Sequence, residues 1–172
     1  RRKKVVGNKY NNFFIDIGTP TNLLKAKKSI PKYFFRPAIF LDRDGVINYD
    51  KGYTHKISQF KFRPKVLKAL RYLNKKKYYI FIVTNQAGIA KGKFKIEQFY
   101  RLHNYIKQYL IRKNIYINDV EFCPFHPNAI IKKYRKKSDY RKPGNLMIKS
   151  LFNKWPIVKK KSFMIGNEIS DE

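Results

Sequence analysis

The chain has 172 residues, 43% of them hydrophobic, and a formal charge of +29 at pH 7. That suffices for one domain with an ordinary core, or one domain plus a fragment of another. No apolar run approaches the roughly 20 residues of a membrane span and no signal peptide is visible, so no membrane partner is expected and the cytoplasm is the expected compartment.

The excess charge is mostly lysine, spread along every helix and loop beside abundant Ile, Asn, Tyr and Phe. Such a bias bears on non-specific association and not on fold. Nucleic acid is therefore not the expected partner, although the field would help attract phosphorylated substrates. The single cysteine, Cys123, forbids an internal disulfide and fits a reducing compartment. The chain is read as a monomer.

In chain order, residues 1–35 differ from the rest of the chain. Phe13-Phe14-Ile15-Asp16-Ile17-Gly18-Thr19-Pro20 reads as a short apolar strand entering a turn. Thr21 or Asn22 could cap a short helix through Lys28, which Ser29-Ile30-Pro31 would break. Such a piece cannot bury a core by itself.

Ala38-Ile39-Phe40-Leu41 is a short apolar run that ends in Asp42-Arg43-Asp44-Gly45. It reads as a buried parallel strand emerging into a loop, the place where open α/β sheets bind ligands. Two carboxylates there need a cation between them or a raised pKa, and hard oxygen ligands suit Mg²⁺. The blander reading is a polar turn after a core strand. Asp50-Lys51-Gly52-Tyr53 forms a second polar turn. Pro64 opens a helix whose core face is Val66, Leu67, Leu70 and Leu73.

Tyr79–Val83 is a continuous apolar strand running into Thr84-Asn85-Gln86-Ala87-Gly88. A hydroxyl and two amides at that point suit a phosphate oxyanion, or a helix cap through Thr84 or Asn85; the two share geometry. A long amphipathic helix follows from Ile96 to Arg112, with Phe99, Leu102, Ile106 and Leu110 on one side. Residues 119–123 make a third strand, a basic loop runs from Pro124 to Tyr140, and Arg141-Lys142-Pro143 closes it. Met147–Trp155 is a helix, and Ser162–Gly166 a fourth strand that ends in Asn167-Glu168-Ile169-Ser170-Asp171. This alternation implies a three-layer, Rossmann-like parallel sheet with helices on both faces.

The four strand ends then offer two acids, a Thr-Asn-Gln, an Arg-Lys and an Asn with an Asp. That is a kit for metal-assisted phosphoryl transfer. Asp42 could attack phosphorus, Asp44 could protonate the leaving oxygen and then activate water, and Thr84 and Lys142 could stabilise charge. No P-loop glycine motif is present, which argues against a kinase or ATPase.

The motifs FLDRDGVIN, DKGYTH, VTNQAGIAKGKF, CPFHP and RKPG resemble the D-glycero-D-manno-heptose 1,7-bisphosphate 7-phosphatase and histidinol phosphatase family of haloacid dehalogenase-like phosphatases. The resemblance spans Pro37 to Asp171. It implies a capless haloacid dehalogenase-like domain over residues 36–172, incomplete at its C-terminal side. It implies Asp42 as nucleophile and Asp44 as general acid/base. Substrate would be bound by Asp50, Lys51, Gly52, Tyr53, Thr84, Asn85, Gln86, Ala87, Arg141 and Lys142. Mg²⁺ would be held by Asp42, the Asp44 position and Asn167, with Asp171 as a further candidate. The implied reaction removes the 7-phosphate of the heptose bisphosphate through an aspartyl phosphate, in nucleotide-activated heptose biosynthesis. Another small phosphomonoester such as histidinol phosphate is the alternative substrate, and a basic binding module that merely keeps the fold is the rival from another class.

The stretch from Asn12 to Pro20, continued by Asn22-Leu23-Leu24-Lys25-Ala26, resembles the closing segment of sugar-phosphate nucleotidyltransferases. That resemblance implies residues 1–35 as the tail of such a domain plus a linker, with Asp16 at the position near its metal site.

The chain departs from the phosphatase pattern in two places. Family members carry a structural zinc on cysteines and a histidine, whereas the positions here read Cys123, Phe125, Ser138 and Tyr140. No zinc is expected, because a closed zinc site needs about four N or S ligands, and the 124–140 loop is then expected to be mobile. Asn167 stands where an aspartate is usual, offering Mg²⁺ a carbonyl oxygen without charge, and Glu168 stands where a lysine is usual.

Overall fold

A computed structural model describes residues 13–171 together with Gly7, Lys9 and Asn11. Asn12, the first residue of the nucleotidyltransferase-like stretch, and Glu172 lie outside the described residues. The chain divides into two units, Arg1–Phe34 and Phe35–Glu172.

In the first unit a helix, α1, runs over Pro20–Phe34. It is longer than expected at both ends. Thr19 and not Thr21 or Asn22 caps it, its Oγ1 accepting the Asn22 N–H at 3.2 Å, and Pro20 suits the first helical position because its missing N–H would be unpaired there anyway. Pro31 lies inside the helix instead of breaking it. The Phe13–Pro20 stretch forms no strand, since no neighbouring strand among the described residues completes a ladder with it. The Asp16 carboxylate instead ties the turn, accepting from Gly18 N at 2.8 Å.

The second unit is built on four parallel strands: β1 Ala38–Leu41, β2 Tyr79–Asn85, β3 Asp119–Cys123 and β4 Phe163–Ile165. Their order is β3-β2-β1-β4. Register places Ile39 beside Ile80 and Phe163, and Leu41 beside Ile82 and Ile165. All four therefore end along one edge of the sheet.

Strand alternation sends successive side chains to opposite faces. Ile39, Leu41, Ile80 and Ile82 meet Leu70 of α2 (Val66–Lys75) and Leu102, Ile106 and Leu110 of α4 (Ile96–Ile111). Ala38, Phe40, Phe81 and Val83 meet Met147 and Leu151 of α5 (Leu146–Lys154) on the other face. Each such aliphatic side chain withdrawn from water contributes about 1.5–3 kcal/mol. The arrangement is the three-layer α/β fold expected, with the periodic positions of α4 buried as its spacing demanded.

The start of α2 and the end of β2 differ from expectation. Helix α2 begins at Val66 and not at Pro64, because Lys65 adopts φ 65°, outside the helical region. Thr84 and Asn85 cap nothing: both belong to β2, and the short helix α3 (Ala87–Ala90) has Gln86 at its N-cap. The 124–140 loop is held by hydrogen bonds as well as packing, with Ile130 N and Ile131 N both donating to Ala90 O at 3.1 Å. Arg135 Nε also donates to Ala129 O at 2.6 Å.

Candidate active site

Along the C-terminal edge of the sheet lies a cleft of about 520 Å³. Its walls include Asp42 and Asp44 after β1, Asp50, Gly52 and Tyr53 from the next turn, and Thr84 to Gly88 after β2. Arg141 and Lys142 follow from the basic loop, then Asn167, Glu168 and Ser170 after β4. Of the residues expected from sequence, Lys51 and Asp171 are not among those lining it, and Asp171 instead holds Lys142, Asn167 and Glu168, which are.

Asp42 is 8% exposed, its backbone N–H donating to Ile165 O at 3.0 Å. Burial raises its pKa above the ordinary carboxylate value, and the Lys142 ammonium, 3.0 Å from Oδ1, pulls it back down. Lys142 is itself buried and also pairs with Asp171. Asp171 Oδ2 in turn accepts the backbone N–H groups of Asn167 and Glu168, both at 3.1 Å. Gly166 leaves the space for this, since a Cβ there would sit 2.1 Å from Asp171 Cβ.

Lys142 is held from β2 as well. Asn85 Oδ1 accepts its backbone N–H at 3.0 Å, and Asn85 Nδ2 donates to its carbonyl at 3.2 Å. Arg141 presents a buried Nη1 that finds no hydrogen-bond partner among the described residues. A donor left in that state costs roughly 1–3 kcal/mol, and an anion in the cleft would relieve it.

Asp44 is arranged differently. Arg43 Nη2 donates to its Oδ2 at 2.7 Å, Gln86 Nε2 donates to the same oxygen at 3.0 Å, and Asn48 Nδ2 donates to Oδ1 at 2.9 Å. Thr84 is buried and its hydroxyl accepts from Gln86 Nε2 at 2.9 Å, so Gln86 ties the end of β2 to Asp44. At the rim, Lys91 Nζ donates to the Tyr53 hydroxyl at 3.1 Å, and the Asp50 carboxylate closes its turn by accepting from Gly52 N.

Gly45 adopts φ +83°, and a Cβ at that position would come within 2.5 Å of Asn167 Oδ1. The Asn167 carboxamide thus packs on the Asp44–Gly45 turn, with its Nδ2 donating to Glu168 at 3.2 Å. An Asp42 carboxylate, the backbone of the turn and a carboxamide oxygen make an all-oxygen donor set. Hard donors of this kind fit Mg²⁺, with a single formal charge among them. No cluster of three or more His, Cys, Asp or Glu side chains able to hold a metal occurs among the described residues. Cys123 is fully buried, which raises its pKa and leaves it a core residue beside Phe125 O.

Sequence reasoning missed Arg43, Asn48 and His103. The available signal was the arginine itself: a cation between two acids at the end of a buried strand must go inward or outward, and Arg43 goes inward, with no exposed surface.

A parallel sheet with acids after β1, a Thr-Asn pair after β2 and a lysine facing the first acid is the arrangement of a haloacid dehalogenase-like phosphatase fold. The profile of the polynucleotide kinase 3 phosphatase family matches residues 39–170. The chain is 42% identical over 136 residues to D-glycero-beta-D-manno-heptose-1,7-bisphosphate 7-phosphatase of Rhodopseudomonas palustris, covering 79% of this chain and 76% of that one. It is 39% identical over 135 residues to the enzyme of that name in Escherichia coli strain K12, covering 78% and 71%.

Among solved structures, a HAD-like phosphatase described from Mesorhizobium loti superposes with TM-score 0.74 at 28% identity, over 80% of this chain and 66% of that one. D,D-heptose 1,7-bisphosphate phosphatase from B. bronchiseptica, complexed with magnesium and phosphate, shares the fold with TM-score 0.61 at 24% identity; the match covers 69% of this chain and 63% of that one. The chain belongs to the heptose-1,7-bisphosphate 7-phosphatase family of haloacid dehalogenase-like phosphatases.

Proposed function

We propose that the second unit is a Mg²⁺-dependent phosphatase that removes the 7-phosphate of D-glycero-D-manno-heptose 1,7-bisphosphate, in the making of nucleotide-activated heptose. The observation that carries this reading is the Asp42 carboxylate set against Lys142 in a cleft where a buried Arg141 donor lacks a partner among the described residues. An anion brought there meets two cations and a nucleophile together.

Asp42 attacks phosphorus to give an aspartyl phosphate, and the electron pair of the breaking ester bond goes to the sugar oxygen, which Asp44 protonates. Asp44 then takes a proton from water, whose oxygen displaces Asp42. Lys142 and Arg141 hold the non-bridging oxygens, and the end of β2 adds the Thr84 hydroxyl and Asn85. Asp42, the Asp44 backbone and Asn167 would hold Mg²⁺, which supplies positive charge between the Asp42 carboxylate and the phosphate. Gly52 and Tyr53, steadied by Lys91, face the sugar.

The test is phosphate release with Mg²⁺ from heptose 1,7-bisphosphate and from histidinol phosphate, with Asp42→Asn as control. Faster release from the bisphosphate is expected. Release from histidinol phosphate alone would transfer the site to that substrate, and none from any monoester would leave a binding module.

Residues 1–35 we propose to be the closing segment of a nucleotidyltransferase-like domain plus a linker. The support is the separation of Arg1–Phe34 as a unit and the Asp16-tied turn that leads into α1. Mass spectrometry of the natural polypeptide, finding no nucleotidyltransferase-like sequence joined to this chain, would overturn it.

A further inference from the structure

Arg43 is among the largest fully buried side chains of the protein. A buried guanidinium is expensive unless each donor is met and its charge is paired. The only carboxylate paired with it among the described residues is Asp44, which it grips twice: Nε lies 3.2 and 3.1 Å from the two oxygens, and Nη2 lies 2.7 Å from Oδ2. The remaining donors are spent on the scaffold. Nη2 also reaches Thr54 O at 2.8 Å and Gln86 Oε1 at 3.2 Å, and Nη1 lies 3.3 Å from His103 Nε2. The guanidinium carbon stands 5.9 Å from the centre of the Phe99 ring.

Neighbouring residues in a strand point to opposite faces, so this grip needs the turn after β1. Ile47 N and Asn48 N both donate to Arg43 O, and Gly45 supplies the left-handed backbone. Underneath, burial and the adjacent Arg43 charge push the His103 pKa down to about 3, so its Nε2 is an acceptor for Arg43 near neutral pH.

We propose that Arg43 is a positioning residue for Asp44: seated on His103, Thr54 and Phe99, it fixes the Asp44 carboxylate against the leaving oxygen and thereby governs proton transfer. The inference rests on the phosphatase reading, in which Asp44 is the general acid and base. It assigns Arg43 no contact with phosphate or Mg²⁺. A structural arginine would affect every step alike. A positioning arginine affects most the step that needs the proton.

The experiment uses the full chain with Mg²⁺ and two substrates that differ in leaving group. From the 7-phosphate ester the sugar oxygen leaves as an alkoxide and needs a proton; the phenolate of p-nitrophenyl phosphate leaves without one. General acid catalysis contributes about 10²–10⁴-fold. Arg43→Met is therefore expected to lower kcat/KM for the sugar phosphate by about 100-fold or more. It should change the pre-steady-state burst of p-nitrophenolate by less than about 5-fold, matching the pattern of Asp44→Asn. Arg43→Lys keeps the charge but not the two-point grip, and is expected to show the same selectivity at about 10-fold. It carries the test if Arg43→Met does not fold, as judged by circular dichroism. Mg²⁺ affinity by calorimetry should stay within about 2-fold of the wild type.

Parallel loss on both substrates, a loss of Mg²⁺ affinity, or unchanged sugar-phosphate turnover in the folded Lys variant would each overturn the assignment. Wild-type protein that releases phosphate from neither substrate would sink the phosphatase reading beneath it. An active wild type with an unselective Arg43 variant would sink the positioning role alone.

Discussion

Asn85 and Lys142 grip each other by two backbone-to-side-chain hydrogen bonds, although 57 positions separate them in the chain. The amide at the end of β2 thus sets the height at which the Lys142 ammonium meets Asp42. Asn85→Ala leaves both backbone groups of a buried residue unpaired, at a cost of about 1–3 kcal/mol. Displacing a catalytic cation by an ångström costs about 100-fold in rate, so kcat/KM is expected to fall by roughly that factor. Urea denaturation and steady-state phosphate release check the two figures.

Asp42→Asn is expected to remove at least 10³-fold of the turnover, as loss of a nucleophile does. It should also stabilise the metal-free protein. With its folded pKa raised above 3.8, Asp42 binds more protons folded than unfolded in the window above 3.8. Stability therefore falls as pH rises through that window, and the penalty persists at neutral pH. In chelator, the Asn variant should melt at a higher temperature than wild type at pH 7, with the difference closing as pH drops below 3.8. Equal melting temperatures at pH 7 would contradict this.

Asn167→Asp adds a second formal charge to the proposed donor set, where the carboxamide now packs on Gly45. Mg²⁺ should bind about tenfold more tightly. Calorimetric titration of the metal-stripped protein reads this directly, and an unchanged affinity would remove Asn167 from the set.

His103 predicts acid sensitivity. Its pKa is depressed from 6.5 to about 3 in the folded protein, so the unfolded chain takes up the proton first. Stability is fully present above pH 6.5 and is lost as pH falls towards 3, by up to about 5 kcal/mol. His103→Gln keeps an acceptor for Arg43 without the titration, and its unfolding free energy should lose most of the slope between pH 6 and pH 4 seen for wild type.

Much of this architecture is legible in the residues. The apolar runs that became β1 to β4 are short, bounded by polar turns and too β-branched or aromatic to be mistaken for helices, and α4 announces its buried face by spacing alone. The convergence of Asp42, Thr84 and Asn167 on one cleft follows from the parallel order of the strands, whereas Lys142 comes from the long loop after β3 and is set in place by Asn85. What escaped was set by three-dimensional neighbours. The start of α1 depended on Thr19 taking the cap, and the start of α2 on a single left-handed residue, Lys65. The inward turn of Arg43 could not be seen because its partners Thr54, Gln86 and His103 come from three separate segments, and only the folded chain brings them within reach.

The interlock of Gly45 with Asn167 carries a temporal consequence. Asp42 and Asp44 are synthesised more than a hundred residues before Asn167 and the Asp171 that steadies Lys142. On a translating ribosome the nascent chain displays its nucleophile long before it has the groups that complete the cleft. The cleft is therefore complete only once β4 has docked against β1.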